Sequence, residues 1–484
     1  MRILLLSTYE LGHQPLGLAS AAAALTAAGH VVCPVDLSLD MLTDEQIDWA
    51  EAAAVSVPMH TATRLAAAVV SGMKGRRPDL RVCAYGLYAA AAAQEGQGRF
   101  DLAIGGEYEP RLTEWANGLE APTGGGEDLS FRGLPGPVPV ALDLGRHRPG
   151  VPDRRQLPGL DRYARLVHNG QERLVGYVEA SRGCVHRCRH CPVPVVYDGR
   201  LRTVAVETVV GDIDRLVEAG ATHITFGDPD FLNGPQHSLR VVREMHRRHL
   251  GLTFDATVKV EHILRHRRVW PELAEAGLLF VVSAFETVND SILLRLDKNH
   301  TAAQEAEAVT VLRRHGVEIR PSFLPFSPWT ELEDMTALVN FVTANGLESN
   351  VDPVQYSIRL LVPPGSLLLG EESPDVFGPY DPVALGHPWQ ASHPGLDELQ
   401  SQLSALAEAA PLEDPAGAFV QVHALVSDAA RRWGVAAPGP LSGAAGRSVP
   451  RLTESWFCCA EPTCAQLERA GAAGASGWRG GAGS

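Results

Sequence analysis

At 484 residues the chain exceeds one ordinary hydrophobic core, so two folded domains and an appendage are expected. A formal net charge of -15 leaves no basic footprint for a polyanion, which counts against nucleic acid and acidic membrane surfaces and suits a small molecule or ion. The opening apolar run MRILLLSTYE is too short for a signal-peptide core and no stretch reaches bilayer-spanning length, so a cytoplasmic protein without membrane partners is expected.

Over residues 1–120, short β-like runs (RILLLS, HVVCPVD, AVSV, RVCAY, DLAIGG) alternate with alanine-rich amphipathic stretches. That α/β alternation predicts a Rossmann-like, doubly wound parallel sheet. Gly12 and Gly17 in the first turn lack dinucleotide spacing. Cys33 and Cys83 fall inside apolar runs and read as buried, inert thiols. Over residues 121–172 glycine and proline become frequent (PTGGGED, RGLPGPVPV, LPGLDRY), which predicts a connector lying across the surface.

Strand-like runs then recur over residues 173–381 in YVEASR, THITFGD, LTFDATV, LFVVSAF, VEIRPSFL and VQYSIRLL, with helical periodicity between them. In the first intervening helix Val206, Val209, Val210, Ile213, Leu216 and Val217 share a face, and Gly220 stands where the helix should stop. Six such units predict a partial (β/α)6 barrel. Residues 382–484 form a mainly helical or irregular extension with one amphipathic stretch, LDELQSQLSALAEAA, and a Gly/Ala/Ser-rich end of about 15 residues that composition marks as disordered.

Eight cysteines are too sparse for a disulfide scaffold, and six of them form two tight groups. The first, SRGCVHRCRHC, spaces Cys184, Cys188 and Cys191 as CxxxCxxC in the loop after the first barrel strand, where barrel active sites are built. Three thiolates leave one iron of a [4Fe-4S] cluster open to an outside ligand. A zinc site with His186 or His190 as fourth ligand is the alternative.

This motif and the six units, over roughly Tyr177 to Leu361, resemble the radical S-adenosylmethionine (SAM) superfamily. The resemblance implies that SAM chelates the open iron and is cleaved reductively, with a reductant such as flavodoxin or ferredoxin as partner. It further implies that the turn after the second strand, here Gly227, Asp228, Pro229 and Asp230 in place of Gly-Gly-Glu, receives the SAM amino group. SAFETVNDSILLRLDKNHT resembles the fourth-strand region of the cobalamin-associated subgroup, in which a glutamate at the position of Glu286 contacts SAM; a helix N-terminal acid is the other reading. Arg320 and Ser322 on strand five, and Gln355, Tyr356 and Arg359 on strand six, are candidates for lining the cavity or for solvated positions.

The order GHQPLGLASAAAAL, then DLAIGGEYEP near Glu107, resembles the cobalamin-binding domain that precedes many such barrels. The Asp-x-His-x-x-Gly loop that supplies a lower cobalt ligand is absent, since His13 lacks the preceding aspartate. Cobalamin is therefore a candidate cofactor against which the missing ligand speaks.

The second group, ESWFCCAEPTC, puts Cys458, Cys459 and Cys464 in a tail able to fold over the barrel mouth. Adjacent cysteines make a strained disulfide ring, and three soft thiolates suit trivalent arsenic better than zinc, which wants four ligands. An auxiliary iron–sulfur cluster, a redox thiol pair and a non-functional tail are the alternatives. The run Cys458-Cys459-Ala460-Glu461-Pro462 resembles the CUAEP/CCAEP-tail radical SAM (seleno)protein family, similar to the radical SAM enzymes of arsinothricin biosynthesis. That resemblance implies transfer of the 3-amino-3-carboxypropyl group of SAM to arsenite, with the tail thiols holding arsenic near the reacting carbon. A cobalamin-dependent radical SAM methyltransferase and a non-catalytic thiol protein binding metal or arsenic are the competing functions.

Overall fold

A computed structural model describes residues 1–94, 99–120, 138–373, 375–411, 413–441, 448–454 and 461–471. The first strand, β1 (Arg2–Ser7), is buried along all but its first residue, as a parallel strand covered on both faces must be. With β2 (Val31–Asp36), β3 (Ala52–Ser56), β4 (Arg81–Tyr85), β5 (Leu102–Gly106) and β6 (Val140–Asp143) it forms a parallel sheet in the order β2-β1-β3-β4-β5-β6. Helices Leu16–Ala27 and Tyr108–Glu120 cover one face, while His60–Arg76 and Ala89–Ala93 cover the other, each with its own apolar core. This is the expected doubly wound domain. Cys83 is buried in it, whereas Cys33, on the outermost strand, is only partly so.

The edge strand β6 comes from the stretch expected to be a surface connector, and Val138, Val140 and Ala141 are buried. Its pattern is a strand pattern masked by proline: Pro139 lacks an N–H, but its carbonyl accepts from Ala103 N (3.0 Å), a role an edge position tolerates.

The second sheet has the order β14-β13-β12-β11-β8-β7-β15. Its parallel members are β8 (Gln171–Val178), β11 (His223–Phe226), β12 (Thr253–Thr257), β13 (Leu278–Glu286) and β14 (Glu318–Phe323). On its other side β7 (Arg165–His168) is antiparallel to β8, through a turn in which Asn169 and Gly170 have φ of 52° and 73°, the signs a two-residue hairpin turn requires. β15 (Arg451–Leu452) returns from the far end of the chain to pair with β7. Between β8 and β11 lies a small hairpin, β9 (Ser181–Gly183) with β10 (Leu201–Thr203). The helix Val206–Glu218 buries Val209, Val210, Ile213 and Leu216 as its periodicity predicts, and Gly220 follows with φ of 98°.

The sixth barrel run departs from expectation. VQYSIRLL contributes a 3-10 turn, Pro353–Tyr356, and one isolated parallel bridge between Phe326 and Arg359 instead of a strand. Pro353 withholds a ladder donor, and the Gln355 side chain accepts from Phe323 N (3.1 Å) where strand backbone would otherwise pair. Two helices close that open side. Pro394–Ala409 is the anticipated amphipathic stretch, and Pro415–Trp433 packs beside it, with Phe419 against the Tyr356 ring at 5.8 Å. Among the described residues no helix is long and apolar enough to cross a membrane. The glycine-rich end lies beyond the described residues except for Ala470 and Gly471.

Candidate functional site

The thiol loop begins where β9 ends. Gly183 has φ of 75°, and a Cβ there would run into the Arg200 carbonyl and the Tyr197 ring, so only glycine lets the chain turn into Cys184. Asn233 then braces the loop, its side chain reaching Cys184 Sγ at 3.4 Å and Val185 N at 3.4 Å. Cys191 N donates to Cys188 O (3.1 Å), closing the second half of the loop. Burial pushes the Cys184 and Cys191 thiols up, and the neighbouring Cys188 raises both further. Thiols of this kind release their protons when they bind a metal.

The histidines considered as a fourth ligand to the thiols each have another side chain close to Nε2. His186 Nε2 lies 3.3 Å from His262 Nε2, and His190 Nε2 lies 3.1 Å from Glu286 Oε1. Three cysteine sulfurs suit a [4Fe-4S] cluster with one iron open.

The turn after β11 is built tightly against the strand that carries the loop. A Cβ on Gly227 would overlap the Tyr177 ring, so Gly227→Ala is expected to cost about 1–3 kcal/mol through overpacking, read as a lower urea midpoint with unchanged slope. Asp228 accepts from Ala180 N (2.9 Å) and Ser181 Oγ (2.5 Å), so it fastens the turn to the start of the thiol loop; burial pushes its carboxyl up to about 7. Pro229 is exposed. Asp230 accepts from Leu232 N through Oδ1 (3.1 Å), while Oδ2 approaches His262 Nδ1 at 2.7 Å.

Glu286 ends β13 with φ of 70° and is buried. Burial alone would raise its carboxyl, but Lys298 Nζ at 3.0 Å and His190 Nε2 at 3.1 Å hold it far below the usual carboxylate range. The helix N-terminal reading of Glu286 is thereby corrected: Asn289 caps the following helix, Asp290–Arg295, by accepting from Ser291 N and Ile292 N. Lys298 is not singled out by the sequence, because its partner Glu286 lies on a strand end and no local pattern links the two.

The remaining candidates are buried rather than solvated, and most are bound to tertiary partners. Arg320 pairs with Asp352 (2.5 Å) and donates to Pro450 O (3.3 Å). Gln355 supports Phe323, and Tyr356 packs on Phe419. Ser322 is buried on β14. Arg359, half-buried, pairs with Asp397 and lies 4.2 Å over the Trp389 ring.

The N-terminal domain docks on the same loop. Arg182 on β9 forms a two-pronged pair with Glu109 (3.0 and 2.7 Å) and also meets Glu179 at 3.0 Å; Tyr197 Oη donates to Glu107 (3.0 Å). His13 stacks on Tyr177 with ring centroids 4.7 Å apart, and burial pushes its imidazole down to about 4, so it is neutral at physiological pH. A cavity of about 900 Å³ opens in this domain at the carboxyl ends of β1 and β2, walled by Tyr9, Gly12, Leu37, Met41, Leu65 and Met73. It is distinct from the thiol loop, none of whose residues lines it. Such sheets take ligands outside the carboxyl ends of their strands, where the strand order reverses.

The described tail residues on either side of the thiol segment contact the N-terminal domain, and the segment expected to fold over the barrel mouth lies outside the described residues. Glu454 accepts from Tyr9 Oη (2.6 Å), Glu461 meets His60 (3.0 Å) and Arg64 (2.5 Å), and Arg469 donates to Ser38 O (2.7 Å). The Glu461–Arg64 pair joins opposite charges 397 residues apart in the chain, a match invisible in a local motif. Cys458 and Cys459 lie outside the described residues, and Cys464 opens the helix Cys464–Arg469, whose Gln466 and Arg469 help line the cavity.

Residues 178–341 match the Radical SAM superfamily. The matched stretch lies within the barrel. Around it, 333 residues are 22% identical to the hopanoid C-3 methylase of Methylococcus capsulatus, covering 65% of this chain; the chain spans only 62% of that relative's length. Among solved structures, the radical SAM methyltransferase TsrM from Kitasatospora setae, with cobalamin and a [4Fe-4S] cluster bound, aligns with a TM-score of 0.60 at 16% identity over 92% of each chain. The cobalamin-dependent SAM radical enzyme OxsB, with aqua-cobalamin bound, aligns with a TM-score of 0.63 at 13% identity, over 88% of this chain and 71% of its own. At such identities the likeness is one of fold: a parallel-sheet domain ahead of a radical SAM domain.

Proposed function

We propose that the chain is a radical SAM transferase of the cobalamin-dependent type, moving a methyl group from SAM to a small-molecule acceptor. The observation that carries this reading is the 900 Å³ cavity at the carboxyl edge of the N-terminal sheet, of a size to admit a corrin-sized ligand. It reverses the weight given to the missing cobalt-ligand motif. Among the described residues no histidine lines the cavity, so a corrin would be held there by shape and rim contacts.

When bound, the cluster would supply an electron to the SAM sulfonium and cobalamin a metal able to carry a methyl group. The chain's own residues bind and orient. Cys184, Cys188 and Cys191 would hold the cluster, Asp228 fixes the turn beside it, and the Lys298–Glu286 pair places a buried charge next to the loop. Arg182, clamped by Glu109 and Glu179, keeps the two domains in register. A flavodoxin- or ferredoxin-like reductant is the proposed partner. Oxygen-free reconstitution with iron, sulfide and hydroxocobalamin should give protein that retains a corrin spectrum through gel filtration and releases S-adenosylhomocysteine from SAM. Loss of all corrin on the column would refute this reading.

A second reading, transfer of the aminocarboxypropyl group to arsenite, is favoured by the tail. Its thiol segment is flanked by Glu454 on Tyr9 and by Glu461 on His60 and Arg64, so both flanks rest on the N-terminal domain. Under it, arsenite should provoke methylthioadenosine release and an organoarsenical product visible by mass spectrometry. Exclusive formation of S-adenosylhomocysteine and 5′-deoxyadenosine would sink it.

A further inference from the structure

We propose that His186, Asp230 and His262 form a binding site for one divalent transition-metal ion of the zinc type, separate from the three-cysteine centre. The three residues come from consecutive strand ends of the barrel: His186 from the thiol loop after β8, Asp230 from the turn after β11, and His262 from the short helix Val260–Arg265 after β12. One ligand atom from each lies within 4.8 Å of the others. Asp230 Oδ2 is 2.7 Å from His262 Nδ1 and 3.9 Å from His186 Nε2, and the two imidazoles approach to 3.3 Å.

Burial makes this convergence costly without an occupant. Asp230 is 2% and His262 3% exposed, yet Asp230 Oδ2 and His262 Nδ1 have no hydrogen-bond partner, the contact of His262 with His186 being made through its other nitrogen, Nε2. A buried carboxylate oxygen left unsatisfied is expensive, and two donors crowded without a shared hydrogen are arranged as ligands around an ion are. The other Asp230 oxygen is fixed by Leu232 N, which aims the free one.

Behind His186, Glu261 Oε2 lies 3.7 Å from Nδ1, itself buried and without a hydrogen-bond partner. A carboxylate on the far nitrogen of a ligand imidazole is the usual device for orienting it. Lys259 Nζ, 3.6 Å from the same oxygen, offsets one of the two local negative charges. Two imidazoles and one carboxylate suit zinc or ferrous iron, not calcium or magnesium, and leave a coordination position for an anionic oxygen ligand.

The test uses holoenzyme with its cluster assembled, dialysed against zinc and then against buffer, with elemental analysis and zinc-edge X-ray absorption. The expected result is one zinc per chain, in a nitrogen and oxygen shell at about 2.0–2.1 Å with imidazole scattering. His262→Ala should lower zinc at least tenfold while leaving iron unchanged, and Asp230→Asn, which keeps the bond from Leu232, should do the same if the alanine variant fails to fold. Zinc in a sulfur-rich shell that survives both substitutions would assign the metal to the tail thiols and overturn the proposal. So would protein that takes up no zinc and whose SAM affinity falls in His262→Ala, since the trio would then serve the SAM ammonium group.

Discussion

Cys188→Ala is expected to leave a folded protein that is colourless and iron-free, with SAM cleavage at the uncatalysed background. Cys188 is the middle member of the thiol triplet and the buried one of the three. The loop itself should survive, because its shape is set by groups other than sulfur: the turn at Gly183, the bracing by Asn233, and Asp228 on Ala180 and Ser181. Two remaining thiols cannot hold a cluster that needs three, so iron should fall from roughly four per chain to trace by elemental analysis. A variant that kept its iron and its activity would remove the ground for the whole assignment.

Lys298→Met is expected to destabilise the fold by about 3–5 kcal/mol, the cost of removing one partner of a buried ion pair. Lys298 and Glu286 are both buried, and their 3.0 Å contact lies beneath the thiol loop. The sign with pH follows from linkage. With Lys298 in place the folded carboxyl of Glu286 is held below its ordinary 4.5, so the pair stabilises above that value and loses its contribution as pH falls further. Without the ammonium, burial dominates and raises the carboxyl, so the variant should lose stability as pH rises above about 4.5. Urea unfolding at pH 5 and pH 8 should show a gap between the proteins that widens at the higher pH. Adding Glu286→Gln should restore much of the loss, since the double variant buries no uncompensated charge.

The thiol triplet was legible because its spacing is a property of eight successive residues, Cys184 to Cys191, and one loop brings them together. The strand and helix periods were legible for the same reason, as in Val206–Glu218. Glu286 was found, but not why it is charged, since Lys298 and His190 reach it from different loops. The sixth strand was misread because VQYSIRLL has the right residues, and only tertiary packing shows Gln355 taking over a backbone bond.

Sequence by itself determined the order of the two α/β domains, the three-cysteine loop and the existence of a thiol-bearing tail, all of which depend on patterns a few residues long. Tertiary structure alone decided that the flanks of the thiol segment rest on the N-terminal domain, that β15 returns from the far end of the chain to pair with β7, and that His186, Asp230 and His262 converge. The reason is range: side-chain periodicity records which face of an element is buried, but not which distant charge or ring will meet it there.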